Sequence, residues 1–366
     1  MPDRFLPRDH FGALFQALHA SGYAIQGPQV RDGAIIMAPV AGPDDLCFGL
    51  RDRQAPGEYR LEGGTGRYFA WANGPMALKP LTFAPRETVW WAEQDENGGL
   101  QFGAVEEASE PLAVIGARAC DLAGLSLQDR HFLDGEADPH YRARRERLFL
   151  VAVNCTHPAD TCFCASTGDG PRAESGFDLV LSEQDSGFLV AAGSEAGRAI
   201  LAQLPTRAAS ARENEQADNE IAAAADAQQR SLPSHNLRDF LFARQNSAHW
   251  EAVAERCLAC GNCTNVCPTC FCHSLETVPD LAGQRSERVR QWDSCFSPGH
   301  SELHGIPVRA TTANRYRQWL THKLGGWHDQ FGRSGCVGCG RCITWCPTGI
   351  DLTAEVAALE QEEGDA

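Results

Sequence analysis

Lysine is almost missing from this chain. Of its 32 basic Lys and Arg residues only Lys79 and Lys323 are lysines, a scarcity that the sequence alone ascribes to genomic base composition, not to a site. Positive charge is outweighed by 48 acidic residues, leaving a net charge of −16 and a pI near 5.2. A surface of that sign excludes nucleic acid as a main partner, because phosphate binding needs a basic face. No run of ~18 apolar residues occurs, so no membrane span is expected. The first ten residues, Met1 to His10, carry charges and prolines where a signal peptide has an apolar core, which sets the expectation of a cytoplasmic protein. No G-x-G-x-x-G follows a strand. Gly63-Gly64-Thr65-Gly66 lacks the third glycine and a following helix, and reads as a turn. No phosphate loop, nucleophile elbow, zinc-protease motif or kinase set appears, so no catalytic residue is named, and neither flavin nor nicotinamide is expected on this chain.

What is abundant is cysteine, with 16 residues in 366. In a reducing compartment clustered cysteines read as metal ligands or redox groups, not disulfides. Two stretches share one pattern: Cys257-Leu-Ala-Cys260-Gly-Asn-Cys263-Thr-Asn-Val-Cys267-Pro268 and Cys336-Val-Gly-Cys339-Gly-Arg-Cys342-Ile-Thr-Trp-Cys346-Pro347. Both are C-x2-C-x2-C-x3-C-P, the bacterial ferredoxin run. Three closely spaced thiolates wrap one [4Fe–4S] cube and the fourth, carried off by the next turn, ligates the other. The expected sets are Cys257, Cys260, Cys263 and Cys346 on one cluster, and Cys336, Cys339, Cys342 and Cys267 on the second. Structural zinc takes four ligands from two short pairs, which two identical four-cysteine runs do not suit.

Before about residue 190 the chain reads as α/β. Short strands are expected at Ala34–Val40, Leu46–Leu50 and Tyr59–Leu61. Apolar runs at Leu112–Gly116 and Leu148–Asn154 suit strands buried on both faces, and Asp178–Leu181 with Gly187–Ala191 forms a hairpin-like pair. In open α/β sheets sites lie outside the carboxyl ends of strands, where Cys120 and Cys155 fall. With Cys162 and Cys164 they form a candidate third iron–sulfur site. Zinc or free thiols remain as alternatives there, and His157 and Asp121 as substitute ligands. Cys47 reads as a small core hydrophobe. Cys270, Cys272 and Cys295 read either as ligands of another metal or as buried thiols near the first run. Helices are expected at Asn236–Arg256 and Thr311–Leu324. The stretch 193–234 reads as a solvated helical linker and Glu360–Ala366 as a frayed acidic tail.

The sequence resembles the beta subunit of soluble sulfhydrogenase-type nickel–iron hydrogenases and the similar iron–sulfur subunit of anaerobic sulfite reductase. The resemblance rests on Gly116-Ala-Arg-Ala-Cys120-Asp121, Asn154-Cys155, Cys162-Phe-Cys164-Ala-Ser-Thr-Gly168, Phe83-Ala-Pro-Arg-Glu87, Cys267-Pro-Thr-Cys270-Phe-Cys272 and Trp292-Asp-Ser-Cys295, besides the two ferredoxin runs. It implies a non-catalytic relay subunit between a flavin subunit that binds NAD(P)H and a catalytic unit, either nickel–iron hydrogenase or sirohaem sulfite reductase. A stand-alone iron–sulfur sensor and a free ferredoxin are the competing classes. The expected fold is α+β: an α/β domain over 1–192 with the third site, the linker over 193–234, and an all-α, helical-ferredoxin-like domain over 235–366 with two [4Fe–4S] clusters.

Overall fold

The structure, a computed structural model, describes residues 4–76, 78–106 and 110–362. Residues 363–366 of the acidic tail lie outside them. The first half is built on an eight-stranded mixed sheet. Its strands run, edge to edge, Arg207–Ala208, Arg4–Pro7, Gly187–Ala192, Leu179–Gln184, Leu148–Val153, Leu112–Ala117, Ala24–Arg31 and Ala34–Pro39. The central strands are parallel, with Leu112 opposite Leu148 and Leu179 opposite Val151. Alternation explains their unbroken apolar sequence: Phe149, Val151 and Val153 face one core while Leu150 and Ala152 face the other.

Because these strands are parallel, their carboxyl ends emerge side by side. One leads into the helix Ala119–Leu133 and the other into the loop that holds Cys155. Leu46–Leu50 is not the expected strand. Asp45 Oδ2 accepts from Ala41 N at 2.6 Å and shapes a short 3-10 turn, Pro43–Asp45, before the chain resumes as strand Leu50–Ala55. Cys47 is buried in the core there, as its surroundings predicted.

The second half packs the helices Leu237–Ala243, His249–Ala254, Thr312–Thr321 and Leu352–Gln361 around Leu241, Trp250, Tyr316, Trp319 and Val356. It departs from an all-α domain. Between the ferredoxin runs lies an antiparallel hairpin, His273–Pro279 and Arg285–Trp292. Its second strand pairs with Arg86–Gln94 of the first half, which pairs in turn with Leu100–Ala104. The hairpin itself is local, turning over residues 280–284, whereas its further partner lies nearly 200 residues away and leaves no local signal of pairing. The stretch 193–234 holds the helices Glu195–Leu201 and Ala211–Asp226. The second starts on a capping box between Ser210 and Glu213 and buries Ala217, Ile221 and Ala224.

Candidate metal centres

Each ferredoxin run turns on a glycine. Gly261 (φ 74°) and Gly340 (φ 72°) sit in the left-handed region and start the one-turn helices Asn262–Asn265 and Arg341–Thr344. A side chain is strained in that conformation, which accounts for Gly after the second cysteine of both runs. Cys257, Cys260, Cys263 and Cys346 line one cavity, walled by Phe296, Tyr316, Trp319, Ile350 and Leu352. Cys263 has Cys257, Cys346 and Cys260 around it, and burial pushes its thiol up. Cys342 is likewise raised by burial and lies among Cys336, Cys339 and Cys267. The fourth cysteine of each run therefore stands with the other run's triplet. Thiols held protonated by burial suit ligands whose proton a metal displaces. The first set is at the surface, with Cys260 exposed, whereas Cys267, Cys336 and Cys339 are buried.

The third set also converges. Cys120 sits in the first turn of Ala119–Leu133, Cys155 follows strand Leu148–Val153, and Cys162 and Cys164 flank Phe163; all four are buried. Cys162 neighbours Cys164 and Cys155, and Cys120 neighbours Cys164 and Cys339. Burial pushes the Cys164 thiol up to about 12. The second ferredoxin run rests directly on this loop. A Cβ on Gly338 (φ +63°) would lie 2.5 Å from Cys164 Cα, and one on Gly340 2.4 Å from Thr161 O. Neither substitute ligand is free. His157 Nε2 is 2.9 Å from Asp52 O, and Asp121 accepts from Arg118 N at 3.0 Å and lies 2.7 Å from Arg341.

Several residues here were not named as site residues from the sequence, although Arg118 lies in the Gly116–Asp121 stretch and Arg341 inside the second ferredoxin run. Arg118 donates Nε to Ala72 O at 3.2 Å and Nη2 to Phe69 O at 2.9 Å. Arg341 donates Nε to Gly74 O at 2.8 Å. Both guanidiniums are buried, and the Nη1 of each has no partner. Arg118 is electrostatically coupled to Cys155, and Arg341 to Cys120 and Cys339. Buried guanidinium groups beside four thiols, of which Arg118 is bonded to backbone carbonyls and Arg341 is paired with Asp121, fit an anionic centre, as a thiolate-bound iron–sulfur cluster is. Asn73 Nδ2 donates to Cys339 O at 2.9 Å, and Gln228 Nε2, from the linker, to Cys164 Sγ at 3.3 Å.

The two lysines, tied to no site by the sequence, lie beside the cysteine runs. Both are buried at the cysteines: Lys323 Nζ lies 3.4 Å from Cys267 Sγ and 3.0 Å from Thr269 Oγ1. Lys79 Nζ donates to Thr264 O and Asn265 O, each at 3.2 Å, and sits 3.9 Å over the Trp292 ring. Among the described residues no three His, Cys, Asp or Glu side chains close to the spacing of a single bound ion.

The 4Fe-4S dicluster domain family matches residues 256–350, a span that includes all eight ferredoxin-run cysteines. Sulfhydrogenase 2 subunit beta of Pyrococcus furiosus is 34% identical over 285 residues, covering 74% of this chain and 81% of that protein. No solved structure matches the chain.

Proposed function

We propose that this chain, which belongs to the sulfhydrogenase beta-subunit family and is an iron–sulfur electron-transfer subunit, holds three clusters in line. Cys257, Cys260, Cys263 and Cys346 hold a [4Fe–4S] cluster at the exposed end. Cys336, Cys339, Cys342 and Cys267 hold a second, and Cys120, Cys155, Cys162 and Cys164 hold a third at the buried end. When bound, such clusters supply one-electron transfer and no hydride chemistry. The protein's own groups position the thiols, exclude water and balance their charge. Arg118, Arg341 and Lys323 supply buried positive charge at the inner two sets, and Tyr316, Trp319 and Phe296 form a dry wall at the outer one.

The observation that carries this reading is the continuity of the cysteine sets. Cys342 neighbours Cys263 of the outer set, and Cys339 neighbours Cys120 and Cys164 of the inner one. A line of sites with no hydride-binding motif suits a relay between two partners that do two-electron chemistry. We assign these as a flavin subunit that binds NAD(P)H and a nickel–iron catalytic unit, in the cytoplasm. The relative's name favours a hydrogenase assembly over sulfite reductase. The test is anaerobic purification of the assembled complex. About twelve irons on this chain are expected with nickel in the complex, and Cys260→Ala should remove one cluster and stop NAD(P)H-linked turnover. Sirohaem in place of nickel, or turnover that survives the substitution, rejects the assignment.

A further inference from the structure

Cys270, Cys272 and Cys295 belong to none of the three sets, yet they do not scatter. Cys272 immediately precedes the strand His273–Pro279, and Cys295 follows its partner Arg285–Trp292. The pairing of His273 with Trp292 and a hydrogen bond from Asp293 N to Cys272 O at 2.9 Å clamp the two ends together. Cys272 lies close to both Cys295 and His300. Cys270 touches Cys267 and lies in the electrostatic reach of Cys272. His300 Nδ1 is 3.0 Å from Asp293 Oδ2, which leaves Nε2 for a second partner. A carboxylate behind an imidazole is the arrangement that orients a metal-ligating histidine.

Charge gives an independent argument. Lys79 and Lys323 are 6% and 4% exposed. Among the described residues neither forms an ion pair with a carboxylate; their surroundings are carbonyls, a threonine and the thiols of Cys267, Cys270 and Cys272. A buried ammonium is favoured beside compensating negative charge. Lys323 lies 3.4 Å from Cys267 Sγ. Lys79 sits 3.9 Å over the Trp292 ring and has Cys270 and then Cys267 as its neighbouring thiols, so a negative centre at the Cys270–Cys272 loop would complement it.

We propose that Cys270, Cys272, Cys295 and His300 hold a fourth iron–sulfur cluster, off the line of the other three. Three thiolates and one imidazole satisfy a four-iron cube, and the imidazole gives it a higher potential than an all-thiolate neighbour. The experiment measures iron, sulfide and zinc on the anaerobic complex, with spectroscopic redox titration, for Cys272→Ser/Cys295→Ser and for His300→Cys. The double variant should lose about four irons while the signals of the ferredoxin-type clusters persist. His300→Cys should keep the iron and lower the potential of one centre. Unchanged iron in the folded double variant, or loss of zinc in its place, overturns the proposal. Where the double variant does not fold, His300→Cys decides: no shift in any centre rejects the site. Failure here leaves the relay reading untouched, because that is tested separately at Cys260.

Discussion

Burial decides what a charged side chain is worth here. Arg238 pairs with Asp329 at 2.7 Å, but the partners are 37% and 59% exposed, so water and salt screen the pair and little stability rests on it. Arg341 and Asp121 are also 2.7 Å apart, at 1% and 2% exposed. The contact is ionic in distance but off the hydrogen-bond direction, since Asp121 Oδ1 has no hydrogen-bond donor. Its energy lies in mutual charge compensation. Arg341→Met should therefore destabilise by about 3–5 kcal/mol by stranding Asp121, and Arg341→Met with Asp121→Leu should recover much of that loss. Anaerobic denaturant unfolding measures both, and a single variant as stable as wild type refutes the compensation. Lys323 acts on potential as well as stability. The reduced state of a cluster bound by Cys267 carries more negative charge, so the nearby ammonium favours reduction. Lys323→Met should lower that cluster's midpoint potential by roughly 60 mV or more, the equivalent of about 1.4 kcal/mol for one electron. A redox titration that shows no change removes Lys323 from the tuning of that centre.

At the scale of the element, glycine separates a conformational requirement from a contact requirement. Gly332 (φ +70°) has no heavy atom within 4 Å of a would-be Cβ, whereas Gly338 (φ +63°) has the backbone of Cys164 at 2.5 Å. Phe163 N also donates to Gly338 O at 2.8 Å, so the two loops are bonded as well as in contact. Gly332→Ala should cost about 1–2 kcal/mol, the penalty of the left-handed region, and leave iron content unchanged. Gly338→Ala should push the loops apart and lower iron at the two inner sites; equal iron in the two variants would show that the loops can part without loss. The cysteine spacing already marked Gly261 and Gly340, because a ferredoxin run is a local structure written in consecutive residues. The same held for Cys120 and Cys155, placed by apolar runs that end in a cysteine. The pairing of the 273–292 hairpin with Arg86–Gln94 and the roles of Asn73, Gln228 and Arg118 were not legible, because their partners lie 46 to 266 residues away and no local pattern encodes such a contact.

For the whole molecule, the question is whether the ferredoxin half can stand alone. Strand Arg285–Trp292 pairs on one side with His273–Pro279 and on the other with Arg86–Gln94. Arg290 within it reaches Glu87 at 2.6 Å and also pairs with Asp138. The second ferredoxin run rests on the Cys162–Cys164 loop, and Arg341 forms its ion pair across that boundary, with Asp121. Cutting the chain before residue 235 would leave one strand edge unpaired, one buried guanidinium uncompensated and the inner face of Gly338 bare. Each is a multi-kcal/mol loss against a stability of only about 5–15 kcal/mol for a native protein. A fragment of residues 235–366 should therefore fail to fold as a monomer or to retain about eight irons, although it contains every cysteine of both ferredoxin runs. Size-exclusion chromatography with iron analysis under anaerobic conditions measures this. A compact fragment with a full complement of iron would show that the first half contributes docking surface alone, whereas the shared sheet and the Arg341–Asp121 pair predict that it completes the fold of the second.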